Sequence, residues 1–154
     1  MPTRYFEDFV SGTVADYGPR LVTREEIVGF AAEFDPQPMH LDEDAARASM
    51  LGGLAASGWH TCGLAMRMIA EGPLHDSSAM GSPGVDEVRW LRPLRPDDRV
   101  TLRVTVADTR ASQSRPELGF VAFDLALLNQ RGVSIMTMRI TLMLERRRLA
   151  GAAA

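Results

Sequence analysis

The chain has 154 residues, of which 45% are hydrophobic and 24% are charged, a composition that suits one ordinary globular domain. Its formal net charge of -3 gives no reason to expect a nucleic acid or an anionic membrane surface as a partner. All 17 residues counted as lysine plus arginine are arginine, which excludes a lysine Schiff base, a P-loop lysine and a lysine general base.

The first predicted elements are a strand and an amphipathic helix. The strand is expected at about residues 12–17, where glycines supply turn signals. Thr23 and Glu26 have the spacing of a capping box, and apolar residues then recur at i, i+3, i+4 and i+7, which predicts a helix starting at Thr23. Pro36 ends this helix, because the residue before a proline is disfavoured in the α region. Residues 35–40, with a second proline, are expected to form a stiff turn.

Two more helices are predicted before residue 72. Asp42 is assigned to the N-cap of a short helix that extends to Ala48, with further acidic residues in its first turn. A glycine-rich segment then leads into residues 59–70, which are apolar nearly all round, as is typical of a buried helix. Three polar residues interrupt this pattern and are assigned to one stripe on the helix surface or at a subunit contact: His60, Arg67 and Glu71.

The second half of the chain changes to the two-residue period of strands. A strand at about residues 84–91 is followed by three rows of alternating apolar and mixed side chains at residues 100–106, 122–127 and 136–144. A turn at residues 129–132 separates the last two rows. Helices followed by several long antiparallel strands indicate the α+β class, with an antiparallel sheet wrapped around the central buried helix.

These elements predict one domain over residues 1–154, with residues 146–154 as a flexible, solvated C-terminal tail. No apolar run approaches the roughly 18 residues of a membrane span, and the N-terminus lacks the charged-then-apolar order of a secretion signal. Cys62 is the single cysteine, so an internal disulfide is excluded, which is consistent with a reducing compartment. We therefore expect a cytoplasmic protein without a membrane partner.

The candidate site is the proline-rich segment from Asp35 to Asp42. It holds a carboxyl group, Asp35, and an imidazole, His40, five residues apart on a stiff backbone, and general acid–base catalysis requires such fixed placement. Other interpretations stay open at this point, because Asp35 also suits a turn before Pro36 and His40 also suits a structural role. His40 and Asp42 have a spacing compatible with metal ligation, but no further histidine or cysteine cluster supports it, and no metal site is predicted.

The segment Asp35-Pro36-Gln37-Pro38-Met39-His40-Leu41-Asp42 resembles the hydratase motif of MaoC-like dehydratases and (R)-specific enoyl-CoA hydratases. Residues 51–59 resemble the glycine-rich entry into the buried helix of that family, and residues 88–98 resemble its following strand and turn, so the similarity covers about Phe6 to Leu144. Three positions depart from the commoner residues of the family without removing a reacting group: Phe34, Gln37 and Ser57.

The resemblance implies a hot-dog fold and the reversible hydration of a trans-2-enoyl thioester to an (R)-3-hydroxyacyl thioester. Asp35 and His40 would activate one water, and Gly58 matches the oxyanion-donor position at the start of the buried helix, where negative charge is stabilised. Ser57 and Trp59 are the neighbouring substrate-binding candidates, although Trp59 also suits the core. No cofactor is implied, since coenzyme A or an acyl carrier belongs to the substrate. The implied assembly is a homodimer or a dimer of dimers.

Two other functions remain open, because a fold does not determine an activity. One is an acyl-CoA thioesterase on the same architecture, and the other is a non-catalytic acyl-thioester binding or scaffold module. The pairing of Asp35 with His40 argues against the second, since binding alone does not require both. Four arginines are candidates for the phosphates of coenzyme A, with solvated charges at the sheet edge as the alternative: Arg89, Arg92, Arg95 and Arg99.

Overall fold

In the computed structural model of the chain, which describes residues 1–147, five antiparallel strands form one sheet. The strands are β1 (Val14–Leu21), β2 (Ala79–Trp90), β3 (Arg99–Ala111), β4 (Leu118–Leu128) and β5 (Ser134–Glu145). Their order across the sheet is β1-β3-β4-β5-β2, so β1 and β2 are the edge strands. The three predicted alternating rows lie in β3, β4 and β5, where every second side chain is buried because one face of each strand meets the core.

Four helices complete the described part of the fold: α1 (Arg24–Phe34), α2 (Pro38–Leu41), α3 (Glu43–Ala48) and α4 (Gly58–Glu71). A short 3-10 helix, Phe6–Asp8, precedes β1. Buried α4 residues such as Leu64 and Ile69 share one hydrophobic core with Leu102 and Phe123 of the sheet. The α+β class and the sheet wrapped on a central helix are therefore confirmed. No helix within residues 1–147 has both the length and the apolar composition needed to cross a bilayer.

The predicted start of α1 is confirmed, and its end delivers the chain to the site. The Thr23 side chain accepts from the Glu26 N–H at 3.2 Å, and the Glu26 carboxylate accepts from the Thr23 N–H at 3.2 Å. Asp35 is the C-cap residue, and its own N–H donates to the Ala31 carbonyl. Phe34 is 66% exposed, so the apolar face of α1 reaches the surface close to Asp35.

The expected stiff turn at residues 35–40 is partly helical. Pro38 begins α2, a single helical turn that contains His40. Proline is tolerated at the first helical position, because its missing N–H would have no intrahelical partner there. The second proline therefore starts a helix instead of prolonging an irregular loop. Asp42 then caps α3 as predicted, since its Oδ1 accepts from the Ala45 N–H at 2.8 Å.

The surface stripe expected on α4 is wrong for His60. This side chain is buried between α4 and α1, with its ring stacked on Phe30 at a centroid distance of 4.9 Å. Its Nε2 lies 3.5 Å from Glu26 Oε1. Only the later part of the stripe is exposed, as an Arg67–Glu71 pair of 2.8 Å. The sequence pattern did not reveal that α1 covers one side of α4.

Arg146 and Arg147, the first two residues of the predicted flexible tail, contact the rest of the domain. The Arg146 N–H donates to the Glu117 carbonyl at 2.8 Å, and its guanidinium lies 3.3 Å from a Glu7 carboxylate oxygen. Arg147 pairs with Asp8 at 2.7 Å. Acidic residues of the N-terminal segment therefore hold the chain as it leaves β5. The remainder of the predicted tail, residues 148–154, lies outside the described residues.

Candidate active site

Asp35 and His40 meet across the bend between α1 and α2. Asp35 Oδ2 lies 3.6 Å from His40 Nε2, and both residues line the same cavity. The His40 side chain is 9% exposed and the Asp35 side chain 18%, so the pair is shielded but open to a small molecule. The structure thus places together the two residues that the sequence singled out.

Asp35 is held at both carboxylate oxygens. The Ser57 hydroxyl donates to Oδ2 at 2.6 Å, and the Gln37 amide donates to Oδ1 at 2.7 Å. The Ser57 hydrogen bond lowers the pKa of Asp35 below its ordinary value, the Gln37 hydrogen bond and the nearby His40 lower this pKa further, and burial opposes them. Asp35 is therefore an ionised carboxylate at neutral pH, fixed in one orientation.

A backbone carbonyl orients His40. His40 Nδ1 lies 2.7 Å from the Ala55 carbonyl oxygen, which only accepts hydrogen bonds, so Nδ1 carries the proton. In the neutral ring, Nε2 then presents a lone pair toward Asp35. The distance of 3.6 Å from Nε2 to Oδ2 exceeds that of a normal hydrogen bond, but both residues line the cavity, where one water beside the pair, at about 2.8 Å from each atom, would bridge them. Such a water would donate one hydrogen bond to each residue, which leaves a lone pair on its oxygen available to act as a nucleophile.

The start of α4 forms the third part of the site. Ser57 is the N-cap, and its hydroxyl accepts from the Trp59 N–H at 3.3 Å. Gly58, the first helical residue, lines the cavity, and within residues 1–147 we find no acceptor for its N–H. A Cβ atom at Gly58 would lie 2.5 Å from the Trp90 ring, whose Nε1 donates to the Gly58 carbonyl at 2.9 Å. Only glycine therefore allows Trp90 to pack against this helix end, where the dipole favours negative charge.

The cavity has a volume of about 550 Å³ and a largely apolar wall. Besides the polar groups above, its wall includes Met39, Met50, Leu51, Trp59, Trp90, Leu91, Pro93 and Leu94. Trp59 is 63% exposed and packs edge-on against Trp90, so it belongs to the cavity wall and not to the core. Ser57, by contrast, is fully buried and lies outside the cavity wall, so its hydroxyl supports Asp35 where the sequence predicted a substrate contact.

The four arginines proposed to meet phosphates have different surroundings. Arg89 pairs with Glu87 at 2.8 Å, and the guanidinium of Arg95 is bound to backbone carbonyls. Arg99 is exposed at the start of β3. Arg92 alone among the four lines the cavity. Separately, no group of three or more His, Cys, Asp or Glu residues in the described part of the chain is arranged to hold a metal ion.

Three contacts in the site were not foreseen from the sequence. Gln37 had been noted only as a departure from the family pattern, and Ser57 as a departure and a substrate-binding candidate. Nothing marked the Ala55 carbonyl, since a backbone oxygen carries no sequence signal. The position of Ser57 directly before the buried helix is the one clue that predicts an N-cap. The contact between its hydroxyl and Asp35 required the tertiary structure.

The family model described as the MaoC like domain matches residues 9–120. The chain belongs to this family. A MaoC-like dehydratase from Rhodospirillum rubrum has a similar structure, with 40% sequence identity, a TM-score of 0.87, and coverage of 94% of this chain and 99% of that one. The unliganded R-hydratase PhaJ1 from Pseudomonas aeruginosa, at 21% identity and a TM-score of 0.73, shares the fold over 97% of this chain and 94% of its own.

Among curated relatives, the MaoC-like chain is 28% identical to the uncharacterized protein YdeM from Bacillus subtilis. That similarity extends over 140 residues, which cover 91% of this chain and 98% of the relative. The family resemblance and the hot-dog fold inferred from the sequence are therefore confirmed.

Proposed function

We propose that this MaoC-like protein is a hydro-lyase that reversibly hydrates a trans-2-enoyl thioester to an (R)-3-hydroxyacyl thioester. The observation that carries the proposal is the pairing of an ionised Asp35 with His40 Nε2, 3.6 Å apart in the wall of an apolar cavity. The apolar wall suits an acyl chain. Asp35 Oδ2 and His40 Nε2 suit one water as acceptors of its hydrogen bonds, and the Gly58 N–H at the start of α4 suits the thioester oxygen.

The proposed reaction begins with polarisation of the thioester carbonyl by the Gly58 N–H, which draws negative charge onto the carbonyl oxygen. The water held by Asp35 and His40 adds its oxygen to the β-carbon. His40 Nε2 takes the water proton, because the lowered pKa of Asp35 makes that carboxylate the weaker base. The imidazolium is stabilised by the ionised Asp35 beside it and returns the proton to the α-carbon. One water is thereby added across the double bond, and dehydration is the reverse. No cofactor is proposed, and coenzyme A or an acyl carrier enters with the substrate.

The test is an assay with crotonyl-CoA, a short trans-2-enoyl thioester. Hydration removes the enoyl absorbance without releasing a thiol. We expect Asp35→Asn and His40→Ala each to lower kcat by at least about 100-fold, since general acid–base groups typically contribute that much or more. The matched controls are Asp44→Asn and His75→Ala, which alter exposed groups of the same chemistry outside the cavity. Wild-type-like rates in both site variants would refute the assignment.

The same assay separates the alternative functions. Release of free thiol from crotonyl-CoA would indicate a thioesterase. Quenching of tryptophan fluorescence by crotonyl-CoA, without hydration and without release of a thiol, would indicate a binding module. The fluorescence signal is specific, because the chain contains two tryptophans and both, Trp59 and Trp90, line the cavity.

We also propose that the protein acts as a homodimer in the cytoplasm. The outer edge of β2 has no strand beside it within residues 1–147, and apolar side chains near it are exposed, including Val85 and Trp90. A second copy would cover this edge, and free edge strands are otherwise prone to aggregation. Analytical ultracentrifugation should give the mass of a dimer or a dimer of dimers, and Val85→Glu should shift it to the monomer. The reducing compartment is proposed because the lone Cys62 is a buried free thiol.

A further inference from the structure

Arg95 makes an unusual set of contacts beside the cavity. Its guanidinium donates to three carbonyl oxygens of one segment: that of Leu51, that of Gly53 at 2.6 Å and that of Leu54 at 3.2 Å. No ion pair to Arg95 is found within residues 1–147. We call residues 51–56 the cavity loop, because Leu51, Ala55 and Ala56 contribute to the cavity wall. The guanidinium of Arg95 therefore holds the backbone of the cavity loop and does not neutralise the charge of an acidic side chain.

The cavity loop carries the carbonyl that orients His40. The Ala55 oxygen accepts from His40 Nδ1 at 2.7 Å. The residues on either side of Ala55 are both hydrogen-bonded to residues 94–95. The Leu54 carbonyl on one side accepts from Arg95, and the Ala56 N–H on the other side donates to the Leu94 carbonyl at 2.9 Å. Because both restraints come from adjacent residues, Leu94 and Arg95 determine where the Ala55 oxygen lies.

Arg95 is itself anchored from the sheet side of the molecule. Its N–H donates to Asp98 Oδ2 at 2.8 Å, and Gln130 Nε2 donates to the other oxygen of this buried aspartate at 3.0 Å. The cavity loop packs closely against the guanidinium, since a Cβ atom at Gly53 would lie only 3.2 Å from Arg95 Nη1. The chain of contacts thus runs from the β4–β5 turn through Asp98 and Arg95 to the cavity loop.

We propose that Arg95 is a positioning residue for the hydration reaction, acting through the cavity loop to hold His40 in its Nδ1–H form with Nε2 directed at the shared water. The expected loss of kcat rests on the proposed function, whereas the expected change in the His40 tautomer does not depend on it. It assigns Arg95 a role different from contact with a coenzyme A phosphate. A guanidinium is suited to this role, because its planar, fixed set of donors reaches several carbonyl oxygens at once.

The kinetic test uses Arg95→Ala with crotonyl-CoA. We expect kcat to fall about 100-fold, the size of effect that a misplacement of about 1 Å produces, while KM changes less than threefold. Guanidinium chloride at millimolar concentration should restore part of the lost kcat, because the free cation can occupy the vacated position. Arg131→Ala, which removes an exposed arginine of the β4–β5 turn, should show neither the loss nor the rescue. A folded Arg95→Ala protein with kcat within twofold of wild type overturns the proposal.

The structural test does not depend on activity. Nitrogen-15 NMR of the imidazole rings distinguishes the two neutral tautomers, and with three histidines in the chain the His40→Ala spectrum identifies the His40 signals. We expect the Nδ1–H tautomer in the wild-type protein and a mixture of tautomers in Arg95→Ala. Unchanged His40 signals in the variant refute the positioning role even where the hydratase proposal stands. A wild-type protein that lacks hydratase activity but shows the tautomer change refutes the proposed reaction alone.

Gly53→Ala tests the same contact from the loop side and serves if Arg95→Ala does not fold. The added methyl group pushes on the guanidinium at 3.2 Å, so kcat should fall by about threefold to tenfold with the same tautomer change. Gly29→Ala is the matched control, because a methyl group there meets no atom within 4 Å. Equal rates and equal His40 signals for Gly53→Ala and Gly29→Ala would contradict the proposal.

Discussion

Replacing Ser57 with alanine removes the hydrogen bond that joins the start of α4 to Asp35. The Ser57 hydroxyl donates to Asp35 Oδ2 at 2.6 Å and accepts from the Trp59 N–H at 3.3 Å. A hydrogen bond to a charged group stabilises by about 1.5–3 kcal/mol, and the lower end applies because water reaches part of this carboxylate. Loss of the N-cap adds about 1 kcal/mol. We expect Ser57→Ala to lower the free energy of unfolding by about 2–3 kcal/mol, a decrease in Tm of about 5–10 °C.

The two contributions depend differently on pH. Ser57 is the main reason that the pKa of Asp35 lies below its ordinary value in the folded protein. A lowered folded pKa contributes stability above the unfolded pKa of about 4, and this stability is lost as the pH falls through the folded pKa. In Ser57→Ala the pKa of Asp35 moves back toward the unfolded value. The stability difference between wild type and variant should therefore be full at pH 7 and shrink below about pH 4, where only the cap contribution remains.

Urea unfolding at fixed protein concentration, followed by tryptophan fluorescence between pH 7 and pH 3.5, measures this difference. A double-mutant cycle with Asp35→Ala should give a coupling energy of about 1.5 kcal/mol at pH 7, because the two residues are in direct contact. Ser114→Ala, which removes an exposed hydroxyl, is the control and should leave stability nearly unchanged. A stability difference that is independent of pH, together with a coupling energy near zero, would refute the reasoning.

Three further outcomes follow from the geometry of the site. Gly58→Ala forces the Trp90 ring away from a Cβ atom at 2.5 Å, so it should cost about 1–3 kcal/mol in urea unfolding and lower kcat, whereas Gly29→Ala should do neither. Burial lowers the pKa of His60 in the folded protein, so the unfolded chain binds a proton at higher pH, and wild-type stability should fall as the pH drops from 7 toward 5. In His60→Gln the free energy of unfolding should fall less steeply over this range. An equally steep fall would exclude His60 as its source. Arg92→Gln should raise KM for crotonyl-CoA but not for crotonyl-pantetheine if Arg92 meets a phosphate of coenzyme A, and equal effects on both would argue against that contact.

The local sequence determined most of the elements, because the signals that specify them lie within a few residues of one another. The capping box of Thr23 and Glu26, the N-cap Asp42 and the alternating rows of β3 to β5 all appear in the structure as predicted. The pairing of Asp35 with His40 was also available from the sequence. They are five residues apart across two prolines, so local backbone stiffness keeps them close, and contacts from Ser57 and Ala55 then orient them.

The tertiary structure decided how the site works. Ser57 reaches Asp35 across 22 positions of the chain, and Arg95 reaches the cavity loop across more than 40. His60 is buried because α1 packs over it, whereas Trp59, the preceding residue, is exposed in the cavity wall. Such contacts depend on where separate elements lie in space, which residue spacing does not encode. The sequence therefore supplied the candidate reacting groups, while packing determined the lowered pKa of Asp35, the orientation of both side chains and the wall of the cavity around them.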